Sequence, residues 1–229
     1  MQVTDANAGQ RHRNGRSEAA AAANGHVRRV ELVLRGCGMT VEQGRTDFFV
    51  ADERGRVGLV VESVLAGVGH LHLIDFDRVD MTNLNRQQYF LKDLGQYKTE
   101  ALRSNLRQIN PFIDITIDTV KVTDENVPTL FDNEDIICEA FDVPENKTML
   151  VNAVLENLPN KKLVSASGMA GFRSSNLVNT RRVSKNFYFC GDGETAPVPG
   201  AGLMAPRVGV VACHEANMIT RLILGEEDA

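Results

Sequence analysis

Residues 71–98 read LHLIDFDRVDMTNLNRQQYFLKDLGQYK. The stretch opens as a short apolar run and ends it in two carboxylates, Asp75 and Asp77. A polar segment, TNLNRQQ, follows with Asn83, Arg86 and Gln87, and Lys98 comes one loop later. The apolar run predicts a buried strand, Leu71 to Phe76. In an open α/β sheet, the carboxylate ending such a strand is the group that receives ribose hydroxyls, and Asp75 and Asp77 are both placed for that. For Asp77, capping of the following turn is an equal alternative. Arg86 carries a permanent charge in a planar fork that grips phosphate oxygens in pairs, whereas Lys98 offers a compact point charge.

Working outward, the same alternation recurs. Val30 to Leu34 is a short β-branched run that suits a strand, and Val57 to Ala66 reads as a helix ending at Gly67-Val68-Gly69. Leu91 to Gln108 has helical periodicity and stops before Asn110-Pro111. Ile113 to Val122 alternates like a strand with one wet face, and Thr123-Asp124 can cap a short helix to Phe131. Asp135 to Ala140, Glu145 to Leu158 and Lys162 to Ala166 give strand, helix and strand. This predicts an α/β fold: a Rossmann-like, mostly parallel sheet with helices on both faces. Beyond Ser167, the runs 174–183 and 186–190 predict extra, antiparallel strands. Residues 191–203, rich in Gly and Pro, predict a loop, and Pro206 to Leu224 a closing helix.

The fourth strand repeats the strand-end carboxylate. Its run IIC leads to Glu139, Ala140, Phe141 and Asp142. Asp142 suits a Mg²⁺ held through one carboxylate and several waters. The alternative is N-capping of the helix that starts near Pro144.

Composition narrows the classes. The chain has 229 residues, enough for one sizeable α/β domain. A net charge of −5 gives no global nucleic-acid footprint, and no apolar run reaches the roughly 20 residues that span a bilayer. Four scattered cysteines, Cys37, Cys138, Cys190 and Cys213, form no CxxC pair, which leaves no zinc ribbon and predicts no structural zinc. Residues 1–27, with Arg11, Arg13, Arg16 and an alanine run, read as a disordered basic tail, with a transit peptide as the alternative. Residues 28–226 then form a single nucleotide-binding domain, and the cytoplasm is the expected location.

LIDFDRVDMTNLNRQQ, GQYKTEAL, Asp142 and GLMAPRVGVVACHEANMITRLILG together resemble the ThiF/MoeB family, the sulfur-carrier adenylyltransferases related to ubiquitin-activating enzymes. ICEAFDVPENKTMLVN, SASGMAGFRSSN and NFYFCGD are similar to a short ThiF subgroup without zinc cysteines. The resemblance covers roughly residues 57–226. It implies ATP-dependent adenylylation of the C-terminal glycine carboxylate of a ThiS-like ubiquitin-fold carrier, for thiamine synthesis, by a homodimer served by a sulfur donor protein. Arg86 and Lys98 would neutralise phosphate charge and Asp142 would hold Mg²⁺. Asp75 would fix the ribose, and Asn83 and Gln87 would orient phosphate oxygens. Cys190, at the start of the crossover loop, is a candidate sulfur relay, whereas Cys138 and Cys213 read as core.

The chain departs from the family at its first loop. The family's GxGGLGS cradles phosphates on backbone N–H groups. Here Val30 to Leu34 leads to Arg35-Gly36-Cys37-Gly38, half of the motif, followed by MTVEQGRTDFFVADERGRVG. Three readings stay open: a rebuilt loop in which Gly36 and Gly38 still touch phosphate, a catalytically impaired carrier-binding scaffold, or an upstream segment in a shifted reading frame. A nicotinamide-dependent dehydrogenase shares the fold prior but has no use for the NLNRQQ cluster.

Overall fold

The computed structural model describes residues 58–167, 171–194 and 202–229 in full, and residues 47–51 and 57 by backbone alone. All of them belong to one compact unit, Gly44–Ala229. The basic tail, the Val30–Leu34 strand and the domain boundary at residue 28 lie outside the described residues.

In chain order the elements are β1 (Asp47–Ala51), α1 (Val57–Leu65), β2 (His70–Ile74), α2 (Lys98–Ile109), β3 (Asp114–Asp118), α3 (Val127–Leu130), β4 (Ile136–Glu139), α4 (Pro144–Asn157), β5 (Lys162–Ala166), β6 (Asn179–Arg182), β7 (Phe187–Gly191) and α5 (Ala205–Ile223). The described strands form one sheet in the order β3-β2-β1-β4-β5-β7-β6. Every pairing is parallel except β6 with β7. The sheet is thus Rossmann-like, with an antiparallel edge supplied by the C-terminal part of the chain. Connections from β1 run outward in opposite directions, to β2 and β3 on one side and to β4 and β5 on the other. That reversal opens a crevice at the carboxyl ends of β1 and its neighbours, where ligands of such sheets bind.

The period of two along each strand sorts side chains onto the two faces. Leu71, Leu73, Ile136, Cys138, Val164 and Ala166 pack under α1, α2 and α5. Ile74, Ile137 and Leu163 pack with Val127, Phe131, Leu150 and Val154 of the α3 and α4 side. Helix α1 lies against α5, and a Cβ placed on Gly58 would stand 3.6 Å from Ala212 Cβ, ordinary contact at close helix approach.

Several sequence expectations change. The central strand is β1, Asp47–Ala51, inside the segment that follows the half-motif Gly36-Cys37-Gly38, where the sequence predicted no strand. Its short apolar run, FFVA after Asp47, is hidden among charged neighbours on both sides. The expected helix over 91–108 is split. A single 3₁₀ turn, Leu91–Asp93, is followed by Gly95 at φ +80°, and α2 starts only at Lys98. Asp93 turns back, accepting from Phe90 N at 2.8 Å and from Asn105 Nδ2 at 2.8 Å, which pins that break. Helix α3 is one turn with Asn126 at its N-cap rather than Thr123 or Asp124. The 174–183 run opens with a 3₁₀ turn, Ser175–Leu177, before β6. No helix among the described residues is long and apolar enough to cross a membrane.

Candidate functional site

The register fixes the crevice. Ala51, the last residue of β1, pairs with Ile74 of β2 and with Glu139 of β4. Asp75 follows Ile74 directly and Asp142 follows Glu139 by three residues, so the two carboxylates flank the end of β1, about 10 Å apart at the usual strand spacing. The connection from β1 into α1 is therefore residues 52–56, DERGR, with one glycine. Gly36 and Gly38 precede β1 in the chain and lie outside the described residues, as does that connection.

On the β2 side, Lys98 is drawn in from the first residue of α2 and is 1% exposed. Its Nζ stands 3.0 Å from Asp77 Oδ2 and 3.5 Å from Asp75 Oδ2. Asp75 Oδ1 also accepts from Asp77 N at 2.7 Å. The sequence stretch thus folds onto itself: both strand-end carboxylates meet the lysine 21 residues downstream. Asp77 is not the cap of the next turn. Asp80 is, accepting from Thr82 N, while Asn83 Oδ1 accepts from Asp80 N at 2.8 Å. Asn83 is buried as part of that capping box.

Arg86 lies half-buried, its Nη1 donating to Thr82 O at 2.9 Å and to Asn85 Oδ1 at 2.8 Å. Gln87 is 5% exposed, and neither its Nε2 nor its Oε1 has a hydrogen-bond partner among the described residues. An amide buried with both ends unsatisfied costs a few kcal/mol, about 1–3 per group. Such a group fits a ligand that brings its own donors and acceptors. The donor set of Lys98, Arg86 and Gln87 therefore suits a phosphorylated, hydrogen-bonding molecule such as a nucleotide.

On the β4 side, the sequence reading passed over the group that organises the strand end. Glu139 is fully buried. Its Oε1 accepts from Phe141 N at 2.6 Å and from Lys147 Nζ at 2.8 Å, and its Oε2 from Ser165 Oγ at 2.5 Å. This network ties β4, α4 and β5 together immediately before Asp142. Helix α4 has Val143 at its N-cap and Pro144 in its first turn, so Asp142 stands one residue outside the cap position. A carboxylate inside an apolar strand run, followed eight residues later by a lysine, is the signal that could have found the pair.

Of the cysteines, Cys190 is fully buried in β7 with Sγ 3.5 Å from Thr180 Oγ1. In that setting the sulfur meets no solvent, whereas a relay thiol has to be accessible. Cys138 is core, as read from the sequence. Cys213 is exposed on α5, against the expectation of a core residue. Its thiol is pushed above its ordinary pKa by partial burial and then by the Glu62 carboxylate. His214 Nδ1 lies 3.0 Å from Thr180 Oγ1, a structural contact between α5 and β6. No cluster of three or more His, Cys, Asp or Glu able to hold a metal occurs among the described residues.

A doubly wound sheet with strand-end carboxylates and a buried lysine at its switch point is the architecture of nucleotide-binding α/β proteins. Residues 55–229 match the ThiF family, and the chain belongs to it. It is similar to the adenylyltransferase and sulfurtransferase UBA4 of Candida glabrata, with 29% identity over 210 residues, 85% of this chain and 47% of that protein. UBA4 of Kluyveromyces lactis is 30% identical over 173 residues, 70% of this chain and 37% of that protein. The chain spans less than half the length of these relatives. Among solved structures, Escherichia coli tRNA N6-threonylcarbamoyladenosine dehydratase TcdA in complex with ATP superposes with a TM-score of 0.70 at 19% identity, over 99% of this chain and 98% of that one. Escherichia coli MccB with ATP gives 0.56 at 21% identity, over 80% and 57%. At these identities the likeness is one of fold.

Proposed function

We propose that the chain is an ATP-dependent nucleotidyltransferase that adenylylates the C-terminal glycine carboxylate of a ThiS-type ubiquitin-fold carrier, serving thiamine synthesis. The observation that carries this reading is the buried Lys98, held between Asp75 and Asp77 just past the end of β2, at the switch point of the sheet. The similarity to proteins named as adenylyltransferases supports it.

The chemistry asks little of a general base, because the nucleophile is already a carboxylate. A carrier carboxylate oxygen bonds to the α-phosphorus of ATP, the bond to the bridging oxygen breaks, and pyrophosphate leaves. The protein's part is positioning and neutralising charge. Asp75 orients the ribose, and Arg86 and Gln87 hold phosphate oxygens. Lys98 shifts its charge from Asp77 toward the phosphates. Asn83 acts indirectly, fixing the turn that carries Arg86. Asp142 is the hard oxygen donor suited to Mg²⁺, which when bound supplies charge neutralisation on the phosphates. Sulfur comes from a separate donor protein, and the enzyme acts as a homodimer.

The test is carrier-dependent ATP–pyrophosphate exchange with several Gly-Gly-ended carriers. Exchange is expected, falling about 10²–10³-fold in Arg86→Ala and in Asp142→Ala. Folded protein with no exchange on any carrier overturns the reading.

One observation favours a second reading, a carrier-binding scaffold that has lost catalysis. Two carboxylates, Asp52 and Glu53, stand in the connection where a phosphate cradle is expected. That reading requires carrier binding with no ATP affinity in equilibrium dialysis.

A further inference from the structure

The carboxyl edge of the sheet carries a buried, partly unsatisfied cation, away from the crevice. Arg207 lies in the first turn of the 19-residue α5 and is 4% exposed. Its Nη2 donates to Asp192 Oδ2 at 2.6 Å, and Asp192 is as deeply buried, with its side chain 4% exposed. The remaining donors, Nε and Nη1, are buried and have no hydrogen-bond partner among the described residues. Leaving guanidinium N–H groups dry and unpaired is expensive, and native proteins do so at positions that a ligand or water completes.

The pair is held in place by the strand ends. Asp192 follows Gly191, the last residue of β7, and Gly193 N donates to Ser167 Oγ at 3.4 Å just past the end of β5. Gly191 has φ +130°, and a Cβ there would fall 2.0 Å from Ser167 Oγ, so only glycine lets the two strand ends approach this closely. Strand β7 is two places from β4, so Arg207 stands about 10 Å along the sheet edge from the strand that carries Asp142. Three residues of extended chain cover that distance.

We propose that Arg207 is a docking residue for the extended C-terminal tail of the carrier, its Nε and Nη1 donating to main-chain carbonyl oxygens of the segment upstream of the terminal glycines. This rests on the adenylation reading above. On that reading the nucleotide fills the β2 side of the crevice, and the tail has to leave along the other side, past β5 and β7. The chemistry selects a neutral acceptor. Arg207 is already balanced by Asp192, so a second carboxylate would crowd one cation with two anions, whereas a peptide carbonyl completes its donors without adding charge.

The test uses Arg207→Lys, which keeps the charge opposite Asp192 and removes the fork of donors. In steady-state exchange, the carrier KM is expected to rise at least about tenfold, with kcat and the KM for ATP unchanged. In protein labelled with ¹⁵N-arginine, the Nε–H resonance missing from Arg207→Lys is expected to shift on adding intact carrier and to stay put on adding carrier lacking its last six residues. A folded Arg207→Lys with an unaltered carrier KM, or an Nε–H signal indifferent to the intact tail, overturns the tail subsite while exchange in the wild type keeps the adenylation reading. Absence of exchange in the wild type removes both.

Discussion

Lys98 Nζ lies 3.0 Å from Asp77 Oδ2 in a site where the lysine is 1% exposed. With Asp75 Oδ2 also 3.5 Å away, the lysine holds together two carboxylates that sit two residues apart. Lys98→Met strands both acids against each other, and breaking a buried pair from one side costs about 3–5 kcal/mol. Urea denaturation is expected to show a loss of that order. Asp77→Asn, with its side chain 25% exposed, is expected to lose far less, because Asp75 still balances the charge. Equal stability of Lys98→Met and wild type, within about 1 kcal/mol, would mean that water already screens the pair.

Most of the sheet was legible because its strands are apolar runs with short punctuated connections. His70–Ile74, Ile136–Glu139 and Lys162–Ala166 fall where the periodicity puts them. Asp47–Ala51 escaped because it is a five-residue strand between charged segments, with Val30–Leu34 already filling the place of the first strand, and only pairing with β2 and β4 makes it central. Of the site, Asp75, Asp77 and Lys98 are brought together as a motif read along the chain suggests. The Glu139 network and the Arg207–Asp192 pair join residues 8 to 26 positions apart whose contact only the fold creates.

Glu139 is expected to be the more important strand-end carboxylate for folding, and Asp142 for activity. Glu139→Ala removes the acceptor for Lys147, Ser165 and the Phe141 amide at once. A loss of about 3–5 kcal/mol is expected by urea denaturation. Asp142→Ala, at a half-buried position, is expected to lose exchange and to lose less stability than a change at the fully buried Glu139. Reversal of the two stabilities would place the organising role on Asp142.

His72 predicts a pH dependence unrelated to catalysis. Its Nδ1 lies 2.7 Å from Glu134 Oε1 and its Nε2 lies 2.8 Å from Asp118 Oδ2. Burial, the largest influence, pulls its pKa down, but the hydrogen bonds to Glu134 and then Asp118, with their charges, outweigh it and leave the pKa above the ordinary 6.5. A group raised in the folded state stabilises fully below its unfolded value and loses that contribution as pH rises through the folded one. The urea midpoint should therefore fall between pH 6 and pH 9 more in the wild type than in His72→Gln. Parallel pH profiles for the two proteins would show that folding leaves the imidazole unshifted.

Gly191 is the position where a single methyl group should be felt most sharply at the sheet edge. Its φ of +130° disfavours any L side chain, and the added Cβ would meet Ser167 at 2.0 Å from Oγ, 3.0 Å from Cβ and 3.2 Å from the backbone N. The hydroxyl can rotate away, but the backbone nitrogen cannot, so overpacking of about 1–3 kcal/mol remains beside the conformational strain. Gly191→Ala is expected to lower the melting temperature and, by displacing Asp192, to raise the carrier KM. Adding Ser167→Gly removes the steric part and leaves the strain, so the double variant should recover stability only in part. Full recovery would show that the φ value costs nothing, and no recovery that the strand ends do not meet as closely as the 2.0 Å approach implies.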